Sequence, residues 1–295
     1  MSPFRSLLRL LAATAVGLAL LVSPALAKPA LWVVRSATAT IYLFGTIHAL
    51  KPDMQWHSAK LDHAFSDAKE IWFEIGDAGF YRAAIPLMQK LGTDYRVPLS
   101  AKLPKAKLDQ IDAALRKAGV KEGRARFEWV RPWVLALMLG GGPTRGIGLE
   151  RGSGADLSLQ EDAVEADKPV RALETKEQQL RIFADLPPDI ELALLDDALA
   201  HMDEGPARLD ALLAAWMAGD VDKIAKLSFT RDSAASEVLY QKLLVERNKT
   251  WAKQIAGMLK GTGTVLICGG AGHFAGPDSV LVQLQALGIK AERVQ

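Results

Sequence analysis

Two short apolar runs at opposite ends of the chain constrain its fold more than anything between them. "IYLFGTIHAL" (41–50) begins as a strand-like run, and "TVLICGGAGHF" (264–274) repeats the arrangement. Each run is rich in aliphatic and β-branched residues, too short for a helix, and stops at glycine, which reads as a buried strand. A buried strand must pair its backbone donors and acceptors. If strand 41–45 and strand 264–268 pair in one sheet, the ends of the chain meet in space and everything between them is inserted.

The remaining pattern fits that frame. "ALWVVRS" (30–36) and "ATIYLFGT" (39–46) read as two strands joined by a short turn. "SAKLDHAFSDAKE" carries apolar residues at helical spacing, with Ser58 as N-cap, and "IWFEIGD" (71–77) is a third strand. Strand–helix–strand succession favours parallel pairing and a sheet covered by helices. "PKAKLDQIDAALRKAG", "FEWVRPWVLALML" and "GADLSLQEDAVEADK" are helical, with a loop at "GGGPTRGIG" (140–148). "PVRALE" (169–174) is a short strand, after which Thr175 and Gln178 have capping-box spacing. From Pro188 to Lys260 the pattern is almost wholly helical, and the chain closes with strand 263–268, helix 278–287 and strand 289–294. The expected fold class is α/β, one domain over residues 28–295. A central β-sheet is flanked by helices, with a large helical insertion between the N- and C-terminal strand units.

Residues 1–27 read as a leader. Arg5 and Arg9 form a basic start, "LLAATAVGLALLV" is apolar, and Ala25-Leu26-Ala27 is a small-residue cleavage signal. No cysteine follows it, so a lipoprotein is not expected, and no stable membrane span is expected after cleavage. The location implied is periplasmic or secreted. Removing the two leader arginines from a chain of formal charge +2 leaves its charges balanced. Such a chain has no electrostatic footprint for nucleic acid. Cys268 is the single cysteine, which excludes an intramolecular disulfide and leaves stability to the core.

The candidate chemistry sits where strands end. With 24 glycines and 5 histidines in 295 residues, G-x-x-H is expected about 0.4 times by chance, so one match means little. This chain has two, Gly45-Thr46-Ile47-His48 and Gly270-Ala271-Gly272-His273, each directly after an apolar strand. In open α/β sheets ligands bind beyond the carboxyl ends of the strands, and glycine there permits close approach. Two such loops on neighbouring strands would aim His48 and His273 at one point. Glu74 lies near the end of an apolar strand, where a carboxylate is costly unless paired or coordinated. It either serves structurally, by pairing with an arginine or capping a helix, or completes a two-histidine, one-carboxylate set. That set suits a catalytic zinc site and equally other divalent metals. A metal there would lower the pKa of a bound water to roughly 7.

The pieces "YLFGTIHAL", "IWFEIGD", "GADLSLQEDAVEADKPVRALETKEQQL", "LLVERNKTWAKQI" and "ICGGAGHFAG" resemble the TraB/PrgY/GumN family, which includes the Tiki proteases, in order and over most of the chain after the leader. The resemblance implies a sheet-and-helix fold similar to erythromycin esterases and ChaN-like proteins. It implies an active centre lined by His48, Glu74 and His273, with a divalent metal (zinc, manganese or cobalt), because Tiki-type members look like metal-dependent proteases. Arg247 falls in the family's R-N position and Glu174 in its L-E-T position. Two departures stand out. The family's Glu-x-Asp is here Glu74-Ile75-Gly76-Asp77, which on a strand turns Asp77 to the opposite face, and a family glycine is replaced by Ser279.

Other residues carry plain alternatives. Arg247 and Asn248 lie on a charge-rich helix that ordinarily presents a solvated face; alternatively Arg247 reaches the crevice and stabilises a developing oxyanion or a substrate carboxylate, and Glu74 with Arg247 forms the catalytic pair. Glu174 is as readily structural, and Asp156 reads as helix surface. His57, His63 and His201 lack the strand–glycine context. Trp129, Trp133, Trp216 and Trp251 read as core or cap packing. Three functions compete: a periplasmic metal-dependent hydrolase of peptide or amide bonds, a non-catalytic protein that sequesters a peptide or small molecule, and a haem- or metal-binding protein. The leader reading predicts that N-terminal sequencing of the exported protein begins at Lys28; a start at Met1 would refute it.

Overall fold

The chain ends do meet. The computed structural model describes residues 28–51, 54–76, 80–140, 154–229 and 231–295. The leader, Asp77 and loop residues 141–148 lie outside them. Six strands form one sheet: β1 (Leu31–Arg35), β2 (Ala39–Thr46), β3 (Glu70–Phe73), β4 (Val170–Ala172), β5 (Gly263–Gly270) and β6 (Glu292–Arg293). Their spatial order is β4-β3-β5-β2-β1-β6. β2 and β5 pair in parallel over their full lengths, with Gly45 opposite Gly269 and Thr46 opposite Gly270. β3 runs parallel to both β5 and β4, while β1 is antiparallel to β2 and β6. Four strands, β2 to β5, therefore present their carboxyl ends along one edge.

Helices α1 (Ala59–Asp67), α2 (Phe80–Gly92), α3 (Leu99–Lys102), α4 (Lys105–Lys117) and α5 (Pro132–Gly140) precede α6 (Ala155–Glu165). After β4 come α7 (Lys176–Ala184), α8 (Pro188–His201), α9 (Gly205–Met217), α10 (Val221–Ser228), α11 (Ala234–Tyr240), α12 (Glu246–Met258) and, past β5, α13 (Val280–Ala286). Ser58 caps α1 and the Thr175–Gln178 capping box opens α7, as their spacing predicts. Ser279, the departure from the family glycine, is itself the N-cap of α13, its side chain accepting from Val282 N–H. α5 begins later than its apolar pattern, because Pro132 suits the first helical position and disfavours helix at Arg131.

Both faces of the sheet are buried, which is why its strands read as continuous apolar runs. Leu31, Phe44, Leu266 and Cys268 pack on one side with Leu61, Leu159 and Trp216. The alternate residues Trp32, Ile41, Leu43 and Ile267 pack on the other with Trp251, Ile255 and Val280. The inserted helices bury a separate core of Leu99, Ile111, Leu115, Leu135 and Leu195. Three strand expectations overreach, the first being that over 169–174, of which only 170–172 is strand. β3 stops at Phe73, so Glu74–Gly76 form a bend rather than strand through 77. The last strand is 292–293 rather than 289–294, since Ile289 and Ala291 pack on the core instead. Trp133, Trp216 and Trp251 are core residues as expected, but Trp129 is 42 % exposed and lies against Tyr95.

Trp216 ties α9 to the site edge of the sheet: its buried Nε1–H donates to Gly45 O at 2.7 Å, and its ring packs against Phe44 and Trp56. Trp216→Phe keeps an aromatic ring but leaves that carbonyl without its donor. Urea unfolding should show a loss of about 1–3 kcal/mol; a change below ~0.5 kcal/mol, the scale of a neutral surface substitution, would mean the bond does not anchor the strand end.

Candidate active site

Each of the four parallel strands delivers one polar residue to the shared edge. His48 follows β2, Glu74 follows β3, Glu174 follows β4, and His273 sits in the 3-10 turn Ala271–Phe274 after β5. The backbone ladder continues one step past the strands, with Glu174 N–H donating to Glu74 O at 2.9 Å, so the two carboxylates emerge side by side. Gly270 marks the point of convergence. A methyl group placed on it would lie 3.0 Å from Glu74 Oε1, 3.7 Å from His273 Cδ2 and 3.8 Å from His48 Nε2. The three residues expected to form the site therefore surround one small volume. The glycine is required there because a side chain would fill that volume.

Arg247 lies at the centre of the network, not on a solvated helix face. α11 and α12 are parts of one long helix joined by a π-helical turn, Gln241–Val245, a feature that often accompanies functional sites. From the start of α12, Arg247 Nε donates to both oxygens of Glu174 (2.9 and 3.1 Å) and Nη2 donates to Glu74 Oε2 (2.7 Å). Nη1 donates to the π-turn carbonyl of Leu243 (2.9 Å) and meets His273 Nε2 at 2.9 Å. Gln179 of α7 bridges Glu74 and Glu174 with its amide nitrogen, and Trp251 Nε1–H donates to Glu174 Oε1 at 2.6 Å. Glu174 is thus the carboxylate that positions Arg247. Glu74 Oε1 also accepts from Gly270 N–H at 2.6 Å.

These bonds define the tautomer of His273. A guanidinium has no acceptor, so His273 Nε2 must accept from Arg247. Asn248 spends its Nδ2 on the Asp278 carbonyl at 2.7 Å, which leaves Oδ1 to accept from His273 Nδ1–H at 2.6 Å. Asn248 is fully buried, contrary to the solvated-face reading of its helix. The imidazole is neutral: burial, then the Arg247 charge, lower its pKa to about 3. His48 is held differently. Its Nδ1–H donates to Asp156 Oδ2 at 2.8 Å, and its side chain remains 60 % exposed in the open crevice. Burial opposes its charged form, yet the Asp156 hydrogen bond and the charges of Asp156 and Glu74 prevail and raise it to about 9. Burial likewise works against the Glu74 carboxylate, but Arg247, both histidines and Gly270 N–H hold it well below the usual range.

Asp156, read from sequence as helix surface, is the residue that reading missed. It lies in the first turn of α6, which docks beside His48 through Ala155 N–H to Ile47 O at 2.9 Å. Gly154 makes that docking possible, since a side chain there would stand 2.6 Å from the His48 carbonyl carbon. The glycine before an acidic first turn was the available signal. His57, His63 and His201 pair instead with Asp62, Asp67 and Asp197 at the surface. Cys268 is buried, and burial pushes its thiol up, which leaves it inert.

The donor chemistry at this point suits a divalent cation. Both imidazoles have Nδ1 tied to an oxygen acceptor and turn Nε2 inward, the arrangement that orients metal-binding histidines. Glu74, Glu174 and Asp156 against Arg247 leave two formal negative charges in excess when both rings are neutral, and Asp156 Oδ1 is buried without a hydrogen-bond partner. Among the described residues, no three His, Cys, Asp or Glu side chains are already disposed around an ion position. Arg247 holds His273 Nε2 and Glu74 Oε2, the atoms such an ion would need.

The opposed histidines predict a stability optimum for the metal-free protein. Below pH 6.5 the unfolded chain protonates His273 while the folded one resists until about 3, so stability falls with acid. His48 contributes stability that is complete below pH 6.5 and is lost as pH rises through about 9. Melting temperatures of chelator-treated protein should peak near pH 6.5; His273→Gln should flatten the acid limb and His48→Gln the alkaline one. Unchanged limbs in both variants would refute the assignment.

Known proteins show what family the chain is similar to. No solved structure matches the chain. An uncharacterized protein, YbaP, of Escherichia coli K12 is 30 % identical over 148 residues, half of this chain and 54 % of that protein; YbaP of Shigella flexneri matches equally. The match thus spans about half the length of these curated relatives. An uncharacterized protein of Treponema pallidum is 22 % identical over 268 residues, 84 % of this chain and 78 % of its own. The TraB/PrgY/gumN family matches residues 30–293, from the residue before β1 to the end of β6, and the chain belongs to that family.

Proposed function

We propose that this protein is an exported, metal-dependent hydrolase of peptide or amide bonds acting in the periplasm. One observation carries the proposal: His48, Glu74 and His273 face a common point, and each imidazole has Nδ1 held by its own acceptor. A divalent ion (zinc, manganese or cobalt) that displaced Arg247 from His273 Nε2 would be held by the two Nε2 atoms, and would supply a water acidic enough to attack at neutral pH. Asp156 and Asn248 orient the rings, and Glu74 would serve either as third ligand or, if it does not coordinate, as general base. Arg247, anchored through Nε by Glu174, is placed to stabilise the oxyanion that develops on the substrate carbonyl. The leader over 1–27 supports export, and among the described residues no helix is long and apolar enough to cross a membrane. An erythromycin esterase- or ChaN-like architecture belongs to the same proposal, supported by the parallel strands β2 to β5 with helices on both faces.

The grip of Arg247 on both Glu74 and His273 favours a second reading, in which the crevice binds a peptide or small molecule without cutting it. A peptide-library digestion with and without chelator separates the two. Cutting should depend on added zinc, manganese or cobalt and fall at least ~100-fold in His48→Ala and His273→Ala, within the range that loss of an essential catalytic group produces. Asp156→Asn should weaken metal affinity about 10- to 100-fold by competition titration, as loss of a ligand-orienting carboxylate does. No cutting by the metal-loaded wild type would favour the binding protein, and cutting that survives either histidine change would end the mechanism.

A further inference from the structure

A cavity of about 700 Å³ opens on the far side of the π-helical turn, among α5, α8, α9, α10 and α11. Its walls are leucines left half-buried where the inserted helices fail to close on one another, including Leu137, Leu194, Leu212 and Leu239. The size is that of pockets holding a drug-sized ligand, roughly 300–1,000 Å³. That accommodates a few side chains and no folded partner.

Two lining segments also touch the candidate active site. Leu243, on the wall, accepts from Arg247 Nη1 through its carbonyl. Ser228 and Phe229, also on the wall, press on the catalytic turn: a methyl group on Gly272, next to His273, would stand 3.2 Å from Ser228 Oγ. The cavity therefore backs directly onto the groups that would do the chemistry.

Its polar end is acidic. Asp197, Glu204 and Asp232 line it against one guanidinium, Arg208, whose Nε is committed to the Leu227 carbonyl at 2.8 Å. One imidazole, His201, pairs with Asp197 at 3.1 Å and leaves one carboxylate in excess even when protonated. His201 registers the same field, its imidazole raised by the Asp197 backbone hydrogen bond and the Asp197 charge. An apolar slot ending in excess negative charge complements a ligand with an apolar stem and a cationic end.

We propose that this cavity is a substrate-binding pocket for a peptide segment in which apolar residues are followed by a basic one. The proposal names the substrate class of the hydrolase site and rests on that reading for its catalytic consequence, while the binding itself is independent of it. The pocket's occupant would touch the walls that hold Arg247 and His273.

The test uses metal-free His48→Ala protein, in which no bond is cut, and calorimetric titration with acetyl-Leu-Leu-Arg amide, acetyl-Leu-Leu-Glu amide and acetyl-Gly-Gly-Arg amide. The first should bind about tenfold or more tightly than either other, the equivalent of one favourable pair. Asp197→Asn combined with Asp232→Asn should remove the preference for arginine, and Leu212→Trp should fill the slot and weaken binding about tenfold. Leucine-methyl NMR on the unfilled protein covers any folding failure of the filled variant: Leu137 and Leu194 signals should shift with the arginine peptide. Equal binding of the glutamate peptide, or methyls unmoved at saturation, would overturn the pocket. Binding as expected alongside a wild type that cuts nothing would retain the pocket and discard the hydrolase.

Discussion

The parallel pairing of β2 with β5 is the constraint on which the rest of the molecule depends. It joins the two ends of the chain, and its register sets Gly45 beside Gly269 and Thr46 beside Gly270. Side chains alternate along a strand, so a slip of one residue would exchange the faces of the strand that slipped. A slip of β2 would place Phe44 on the face of Ile267 and Trp251 while Cys268 stayed where it is, and the two histidine loops would no longer face each other. Burial of both sheet faces makes that slip prohibitive, and Trp216 adds a bond to the carbonyl of Gly45 at the strand end.

Upon that edge the site is organised by charge compensation. Glu74 and Glu174 emerge together from adjacent parallel strands, and two carboxylates so placed need a cation between them. Arg247 answers with a fork that serves both acids, a π-turn carbonyl and one imidazole nitrogen. Burial, and then the charged guanidinium beside it, keep His273 neutral, while Asp156 draws a proton towards His48 on the open side. The two histidines, alike in sequence context, are thus driven to opposite protonation preferences. Arg247 thereby gives the site an internal cation.

Much of this was legible before any coordinates. The strand–glycine–histidine repeats located His48 and His273, the cost of a carboxylate at an apolar strand end drew attention to Glu74, and cap chemistry located α1 and α7. Asp156 and Asn248 were not legible. One reads as a helix-surface acid and the other as part of a charged helix, because their neighbours in sequence are polar while their neighbours in space are the two imidazoles. Glu174 and Arg247 could be named but not related, since the distance between them along the chain says nothing of a bidentate pair.

Local residue chemistry by itself determined the apolar runs, their glycine ends, the helix caps and the identity of three of the groups that converge. Those follow from periodicity, backbone freedom and the cost of burying charge, all of which act over a few residues. Tertiary structure alone decided that Arg247 stands between Glu74, Glu174 and His273, that Asp156 belongs to His48, and that the inserted helices leave an acidic-ended slot behind the site. Protonation and pairing depend on distances across the fold, and those exist only once β2, β3, β4 and β5 lie side by side.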